Sequence, residues 1–452
     1  MIADKKVEER TVARSIDRWS EALERLCDRI AHRFRRPEVR GRVRRYLTGL
    51  LGDVGRKNGW QMAEAIGEAR PRGVQHLLND ARWDADAVRD DLRGYVVEHL
   101  GDEESGVLIV DETGFLKKGE KSVGVARQYT GTAGKRENCQ VGVFLCYASE
   151  RGAAFIDRAL YLPKEGWAED PARRAEVGVP EKVRFATKGK LAKEMLERAF
   201  EAEVPARWVV ADTVYGTARG LRGWLEEQEC SYVLAVPGTR GVYHQGCQRQ
   251  ARTVAKSLPG KAWVRASAGT GSKGERLYDW ACVTLPESEV QGGEGDRAGR
   301  WLLMRRSIAE PEEIAYYLCY GPARTSVHGL IRIAGRRWQI EDSFGEAKGG
   351  NGLDEYEVRK WDGWHRHITL CLLAHAYLAV LRSVAEDEEA SAKKGISARV
   401  SIPSRDPAHR GGGKACNLGD DGPRRAEGVP VGMVALPPGP PGRGQALPQS
   451  EP

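Results

Sequence analysis

The feature of this sequence that most constrains its fold is a short apolar run that ends in two carboxylates. The segment VLIVDETGF, residues 107–115, begins with four consecutive aliphatic residues, a pattern typical of a strand buried on both faces. Asp111 and Glu112 follow directly. Because a buried carboxylate is costly unless it is paired or binds a metal, this strand ends either at the surface or in a functional site.

A second segment repeats this design later in the chain. In RWVVADTVYG, residues 207–216, a buried-strand pattern runs into Asp212. Sites in open α/β sheets form at strand ends, so Asp111 and Asp212 face one another if the two strands are neighbours. Two like charges that close favour a divalent cation, and oxygen ligands suit Mg²⁺ or Mn²⁺. Each aspartate alone also fits the common role of a turn or helix-capping residue.

A later helix supplies candidates for a third carboxylate. Residues 325–350, TSVHGLIRIAGRRWQIEDSFGEAKGG, are predicted to form one long amphipathic helix that the final glycine pair stops. At about 100° per residue, Glu341 lies along the edge of the apolar stripe, whereas Asp342 and Glu346 turn towards solvent. Glu341 is therefore the carboxylate that packing would bring to the sheet.

Two basic residues share the edge of that helix with Glu341. Arg337 lies one turn before it and Lys348 two turns after it, so both are candidate contacts for a phosphate backbone. Arg337 and Glu341 also form an ordinary i, i+4 pair, which needs no function.

The remaining pattern predicts an α/β protein in which a mixed sheet is flanked by helices. An arginine cluster between residues 33 and 45 fits either DNA contact or a solvated helix face. The predicted segments are a helical DNA-binding domain (1–100), a first part of the core (101–238), a β-rich insert (239–325), C-terminal core helices (326–390) and a disordered Pro/Gly-rich tail (391–452). The first part of the core is expected to run as three strands, helix, strand, helix, strand.

Charge and composition narrow the class of protein. The net charge of +7 and the pI near 8.9 permit an acidic partner such as nucleic acid. Nine cysteines without a CxxC spacing favour a reduced, cytoplasmic compartment and argue against a zinc site. The charged N-terminal residues argue against a signal peptide. The apolar run of 18 residues from His367 to Val384 contains two histidines and is predicted to be a core helix rather than a membrane span.

Together these residues resemble the DDE superfamily of bacterial insertion-sequence transposases, whose catalytic core is RNase H-like. In that family the first Asp ends the first core strand, as Asp111 does, and the second follows the fourth core strand, as Asp212 does. The Glu lies on a late helix, as Glu341 does. The resemblance therefore implies an RNase H-like mixed sheet and assigns these three residues to catalysis and metal binding.

One subgroup of that family carries a Tyr-Arg-Glu-Lys signature and a β-rich insert between the second Asp and the Glu. Arg337, Glu341 and Lys348 match the signature at its spacing, whereas Ala334 stands at the Tyr position. The contact that this Tyr makes to DNA is therefore in question. The region 239–325 matches the place of the insert.

The resemblance also implies a mechanism and partners. Two Mg²⁺ ions, which Mn²⁺ would replace, would activate water and then a DNA 3′-hydroxyl, cleaving double-stranded DNA at the terminal inverted repeats and joining it to target DNA. Such enzymes act as homodimers or larger assemblies on paired ends in the cytoplasm. The side chains expected to contact DNA are Arg337, Lys348, Lys117, Lys118, Lys121, Arg127, Lys135 and Arg136. For the six that flank the first two strands, a solvated surface explains the positive charge equally well.

Several alternatives stay open from the sequence. The protein would also fit an RNase H-like nuclease without strand transfer, or a catalytically inactive DNA-binding remnant with an altered tail. Glu112 is a candidate for a spare ligand or a supporting group, and Tyr215 for stacking on DNA or core packing. Trp263, Trp280 and Trp301 in the insert fit either core packing or stacking on a flipped base.

Overall fold

Strand β1 (Val107–Leu116) is the element around which the sheet is arranged. Strand β3 (Lys135–Ser149) pairs with it antiparallel along its whole length, and β5 (Trp208–Ala211) pairs with it in parallel. The sheet is therefore mixed, and the predicted α/β class is confirmed. The computed structural model describes residues 2–271, 274–286 and 298–400.

Ten strands form one sheet, and a separate two-stranded hairpin lies beside it. The other strands are β2 (Ala126–Thr130), β4 (Gly152–Tyr161), β6 (Ser231–Val236), β7 (Gly241–His244), β8 (Cys247–Gln250), β9 (Val264–Gly271), β10 (Gly274–Thr284), β11 (Ala298–Arg306) and β12 (Ile314–Pro322). The order across the sheet is β2-β3-β1-β5-β6-β12-β11-β10-β9, and β4 also pairs with β3. Strands β7 and β8 form the hairpin.

Helices pack against this sheet, and the helical pattern predicted for residues 1–100 is confirmed by α1 to α5. The helices are α1 (Ile2–Ala31), α2 (Pro37–Leu51), α3 (Gly59–Ala65), α4 (Arg72–Asn79), α5 (Ala85–Leu100), α6 (Pro171–Glu176), α7 (Lys188–Glu201), α8 (Thr213–Gly216), α9 (Arg219–Glu227), α10 (Ala251–Ser257), α11 (Val327–Arg336), α12 (Trp338–Asn351) and α13 (Trp361–Val400). Met1–Val384 form one compact unit.

The first core strand does not end at Asp111, contrary to the sequence prediction. Strand β1 continues to Leu116, because β3 remains hydrogen-bonded to it on one side as far as the Leu116–Cys139 pair. On its other side the parallel partner β5 stops at Ala211, opposite Val110. The apolar run of β1 therefore ends where its pairing with β5 ends, whereas β1 itself continues beside β3.

Strand β4 is absent from the predicted order of elements, because charged residues interrupt its apolar pattern. Asp157 is fully buried in β4 and is held by arginines from two helices. Arg89 of α5 donates to it at 3.1 Å, and Arg198 of α7 at 2.9 Å. The carboxylate thus fastens α5 and α7 to the sheet, so its burial depends on long-range partners that the local sequence does not reveal.

The β-rich region 239–325 does not form a sheet of its own. Its hairpin of β9 and β10 and the strands β11 and β12 are present as predicted, but β12 pairs antiparallel with β6. The core sheet therefore continues through these four strands. The hairpin β7–β8 and the helix α10 were not predicted.

The long helix predicted for residues 325–350 is two helices with a break at Arg337. Gly335 lies against the backbone of β9, where an added Cβ would be 2.1 Å from the carbonyl oxygen of Ala268. Helix α12 ends at Asn351 rather than at the predicted glycine pair, because Gly352 adopts the left-handed conformation, with φ of +66°, that closes helices.

Helix α13 contains the apolar run noted in the sequence. Its segment Trp361–Ser391 is long and apolar enough to cross a membrane, but 72% of that apolar window is buried inside the protein, as in a core helix. The helix continues to Val400, past the predicted start of the tail at 391. The tail residues 401–452 lie outside the described residues.

We expect Asp157→Asn to lower the free energy of unfolding by about 3–5 kcal/mol, because it removes the fully buried charge that Arg89 and Arg198 share. Urea unfolding followed by circular dichroism measures this. The matched control is Glu169→Gln, which breaks an exposed pair with Lys164 and should change stability by less than about 0.5 kcal/mol. Equal effects of the two variants would show that the buried network contributes no more than a surface pair.

Candidate active site

Asp111 and Asp212 lie side by side where the parallel pairing of β1 and β5 ends, in the middle of the strand order. The last parallel pair of β1 and β5 joins Val110 and Ala211, and the next residue on each chain is an aspartate. Asp111 remains in β1, whereas Asp212 leaves the sheet and caps α8, where its Oδ1 accepts a hydrogen bond from the Val214 amide at 2.9 Å. The adjacency expected from the sequence is therefore present.

The electrostatics of this pair oppose ionisation. Burial raises the pKa of Asp111, the charge of Asp212 raises it further, and Arg337 counteracts both. Burial also raises the pKa of Asp212, followed by the charge of Glu112. Two desolvated carboxylates whose ionised forms repel each other are an arrangement that additional positive charge stabilises.

Arg337 links the first aspartate to the glutamate on α12. Its Nη2 lies 2.6 Å from Glu341 Oε1, and its Nη1 lies 3.5 Å from Asp111 Oδ2. The guanidinium thus stands between the two carboxylates. Arg337, which makes both ion pairs, is also the residue between α11 and α12.

The helix-face argument for Glu341 agrees with the packing. Ile340, Phe344 and Ala347 are buried, and Glu341 lies half-buried on the edge of that stripe. Asp342 and Glu346 are exposed, as expected.

Glu346 has other partners. It lies 3.4 Å from His375 and 2.9 Å from Arg382, both on α13. This carboxylate therefore serves helix packing away from the aspartate pair.

Lys348 places the same edge of α12 against β1. Its Nζ donates to Thr113 Oγ1 at 2.7 Å and to Thr132 Oγ1 at 3.4 Å. Thr113 is two residues beyond Asp111 and therefore shares its face of the strand. Thr113 was not predicted as a site residue, although the two-residue period of a strand places it on the same face as Asp111.

Glu112 points to the opposite face of β1. Its Oε1 accepts from Lys188 Nζ at 2.6 Å, and its Oε2 accepts from the hydroxyl of Tyr215, also at 2.6 Å. Tyr215 is fully buried, so it packs in the core and ties α8, which Asp212 caps, back to β1. Lys188 was not anticipated, because it is distant in sequence.

The basic residues expected to contact DNA differ in environment. Lys117 is half-buried, stands 3.6 Å from the centre of the Tyr356 ring and donates to that residue's carbonyl oxygen; burial lowers the pKa of Lys117 to about 8. The exposed members are Lys118, Lys121, Arg127, Lys135 and Arg136. The turn between β2 and β3 contains Thr132, which contacts Lys348 of α12. The β2–β3 hairpin, which bears Arg127, Lys135 and Arg136, therefore reaches the helix that carries Glu341.

The arginine cluster of the N-terminal helices is largely engaged in ion pairs. Arg33 makes two hydrogen bonds of 2.8 Å to Asp91, and Arg42 pairs with Glu68 at 2.8 Å. Arg44 pairs with Glu24. These contacts favour the interpretation of this cluster as a salt-bridged surface of the helical bundle.

The tryptophans of the insert divide between core and surface. Trp280 and Trp301 are buried in the extended sheet, in agreement with core packing. Trp263 is partly exposed and lies under the guanidinium of Arg306, 4.2 Å from it.

The three carboxylates meet some of the requirements of a metal site and not others. Among the described residues, no three His, Cys, Asp or Glu side chains converge as a preformed metal site. The guanidinium of Arg337 separates Glu341 from Asp111. The available donors are nevertheless carboxylate oxygens on desolvated, mutually repelling groups, which fit a hard divalent cation better than zinc.

Comparison with known proteins gives consistent matches. Residues 29–270 match a family model described as DDE superfamily endonuclease, and residues 186–377 match the transposase DDE domain. The first range contains Asp111 and Asp212, and the second contains Asp212 and Glu341.

A similar protein is the probable transposase for insertion sequence element IS701 from Microchaete diplosiphon. It is 29% identical over 274 residues, which cover 56% of this chain and 65% of that relative. Because the endonuclease family matches more than half of this chain and contains its adjacent aspartates, the chain belongs to the DDE superfamily of endonucleases.

Proposed function

We propose that this protein is the transposase of an insertion sequence, which cleaves DNA at the inverted-repeat ends of the element and joins them to target DNA. The observation that carries the proposal is that Asp111 and Asp212 lie side by side directly after the last paired position of β1 and β5. Glu341, which Arg337 links to Asp111, completes the set. The printed name of the similar protein supports the same function.

Asp111, Asp212 and Glu341 would hold two Mg²⁺ ions, for which Mn²⁺ would substitute. When bound, these ions supply an activated oxygen nucleophile and stabilise charge on the attacking and leaving oxygens of a phosphodiester. The side chains contribute the oxygen ligands and a largely dry setting, since the Asp111 side chain is only 15% exposed.

Arg337 has two roles in this proposal. It neutralises Asp111 and Glu341 as the contacts stand. If metal ions supplied the positive charge instead, the planar guanidinium of Arg337 would be available to bind a DNA phosphate next to the carboxylates. Lys348, anchored on Thr113, would add a second phosphate contact on the same edge.

DNA would continue from the carboxylates along the β2–β3 hairpin. Lys118, Arg127 and Arg136 would contact its backbone there, with Lys117 at the base. The substrate is double-stranded DNA bearing the terminal repeats, bound by a homodimer on paired ends in the cytoplasm.

Two other functions predict different results. An RNase H-like nuclease would cleave the ends without joining them to a second DNA. An inactive remnant would bind the ends without cleaving them.

We expect Asp111→Asn, Asp212→Asn and Glu341→Gln each to reduce end cleavage at least about 100-fold, because loss of even an outer partner of a metal site costs 10–100-fold. DNA binding should change little, since the phosphate contacts remain. The measurement uses DNA with the repeats that flank the gene, in Mg²⁺ and in EDTA. Full activity of any one variant would remove that residue from the site.

Glu346→Gln is the matched control on the same helix. We expect it to retain at least about half of the cleavage rate, because Glu346 contacts α13 rather than the aspartates. If Glu346→Gln lost activity while Glu341→Gln kept it, the assignment by helix face would be wrong.

The raised pKa of Asp111 predicts a pH-dependent gain in stability for Asp111→Asn in metal-free protein. The folded state holds this proton more tightly than the unfolded chain, so wild-type stability is lost as pH rises above about 4. Thermal unfolding from pH 4 to pH 8 should show the two proteins converging at low pH and the variant melting higher at pH 8. A difference in melting temperature that stayed constant from pH 4 to pH 8 would contradict a raised pKa of Asp111.

A further inference from the structure

Three arginines lie at the side of the sheet where the parallel strands β5 and β6 end, which is also where Asp212 follows β5. Arg219 and Arg222 belong to α9, the helix that follows α8 and its Asp212 cap. Arg240 ends the turn after β6, the strand parallel to β5, so it emerges at the edge where Asp212 does. The Arg240 carbonyl oxygen accepts from the Ala251 amide at 2.8 Å, which fixes this turn to α10.

The charges of these three arginines are close enough to affect one another. Burial lowers the pKa of Arg240, and the charges of Arg222 and Arg219 lower it further. The Nε atoms of Arg222 and Arg240 are buried, and neither has a hydrogen-bond partner within the described part of the chain.

Arg276 also has a buried partnerless nitrogen and no carboxylate partner, but it donates to the carbonyl oxygens of Ala268 and Gly335 at 3.4 Å. Three further arginines with such a nitrogen differ in another respect. Arg93, Arg158 and Arg306 each hold a carboxylate through another nitrogen, at 2.9, 2.7 and 3.2 Å. No carboxylate among the described residues pairs with Arg219, Arg222 or Arg240. Arg222 and Arg240 are half-buried and Arg219 is exposed. Holding half-buried cations without a counter-charge costs folding energy, and such an arrangement marks a site for an anion.

We propose that Arg219, Arg222 and Arg240 form a binding site for the phosphodiester backbone of the DNA strand that passes the carboxylates. This inference rests on the proposed function, which supplies DNA as the anion at this edge. Guanidinium groups suit it because their planar donors match phosphate oxygens in pairs. The strand would then be held on both sides of Asp212, by Lys348 on one side and by the three arginines on the other.

The test is the salt dependence of binding to repeat-bearing DNA. Arg222→Gln and Arg240→Gln should each weaken binding roughly tenfold at 0.1 M salt and reduce the slope of log K against log salt by about 1, because each removes one phosphate contact. The control is Lys164→Gln, which removes one charge from an exposed pair and should leave the slope unchanged. Variants that match this control would overturn the proposal.

Thermal unfolding separates a binding role from a structural one. The double variant Arg222→Gln/Arg240→Gln should melt at the same or a higher temperature than wild type, because like charges and partnerless buried groups are removed. Arg240→Lys should keep most of the salt slope. A lower melting temperature with an unchanged slope would assign these arginines to the fold and overturn the proposal.

Cleavage by wild type, measured in parallel, reports on the proposed function separately. Reduced slopes without any metal-dependent cleavage would reject the transposase and keep a DNA-backbone site. Cleavage with unchanged slopes would reject the arginine site alone.

Discussion

The structure depends on two carboxylates that meet where a parallel strand pair ends. Asp111 and Asp212 follow the last paired residues of β1 and β5, so the hydrogen-bond register of the sheet sets their separation. Burial and mutual repulsion make this placement unfavourable without positive charge. Tyr215 and Lys188 hold Glu112 on the opposite face of β1, from which its charge still raises the pKa of Asp212.

Arg337 shows how packing and charge act together in this site. The close approach of Gly335 to β9 accompanies a break in the helix, and the break puts Arg337 at the start of α12. From there its guanidinium reaches Asp111 and Glu341. The same guanidinium keeps the third carboxylate apart from the aspartates, so an arrangement with bound cations requires Arg337 to give up contacts it makes here. Its planar donors then have a phosphate as their natural replacement.

The local sequence was sufficient where a feature depends on periodicity and insufficient where it depends on distant partners. Four apolar residues before each aspartate identified β1 and β5, and the helical period distinguished Glu341 from Glu346. The length of β1 was missed because it depends on β3, and β4 was missed because Arg89 and Arg198 are what permit Asp157 to be buried. The break at Arg337 lies two residues after Gly335, whose contact with β9 the local sequence does not reveal either.

Arginine content alone did not indicate where nucleic acid would bind. The conspicuous run from Arg33 to Arg45 is largely paired with carboxylates of its own helical bundle, so much of its charge is already compensated. Arg219, Arg222 and Arg240 are separated in sequence, yet the fold brings all three to the side of the sheet where β5 and β6 end, with no carboxylate partner among the described residues. Uncompensated charge, rather than its density along the sequence, is what a phosphate backbone can neutralise, and only the fold shows where that charge remains.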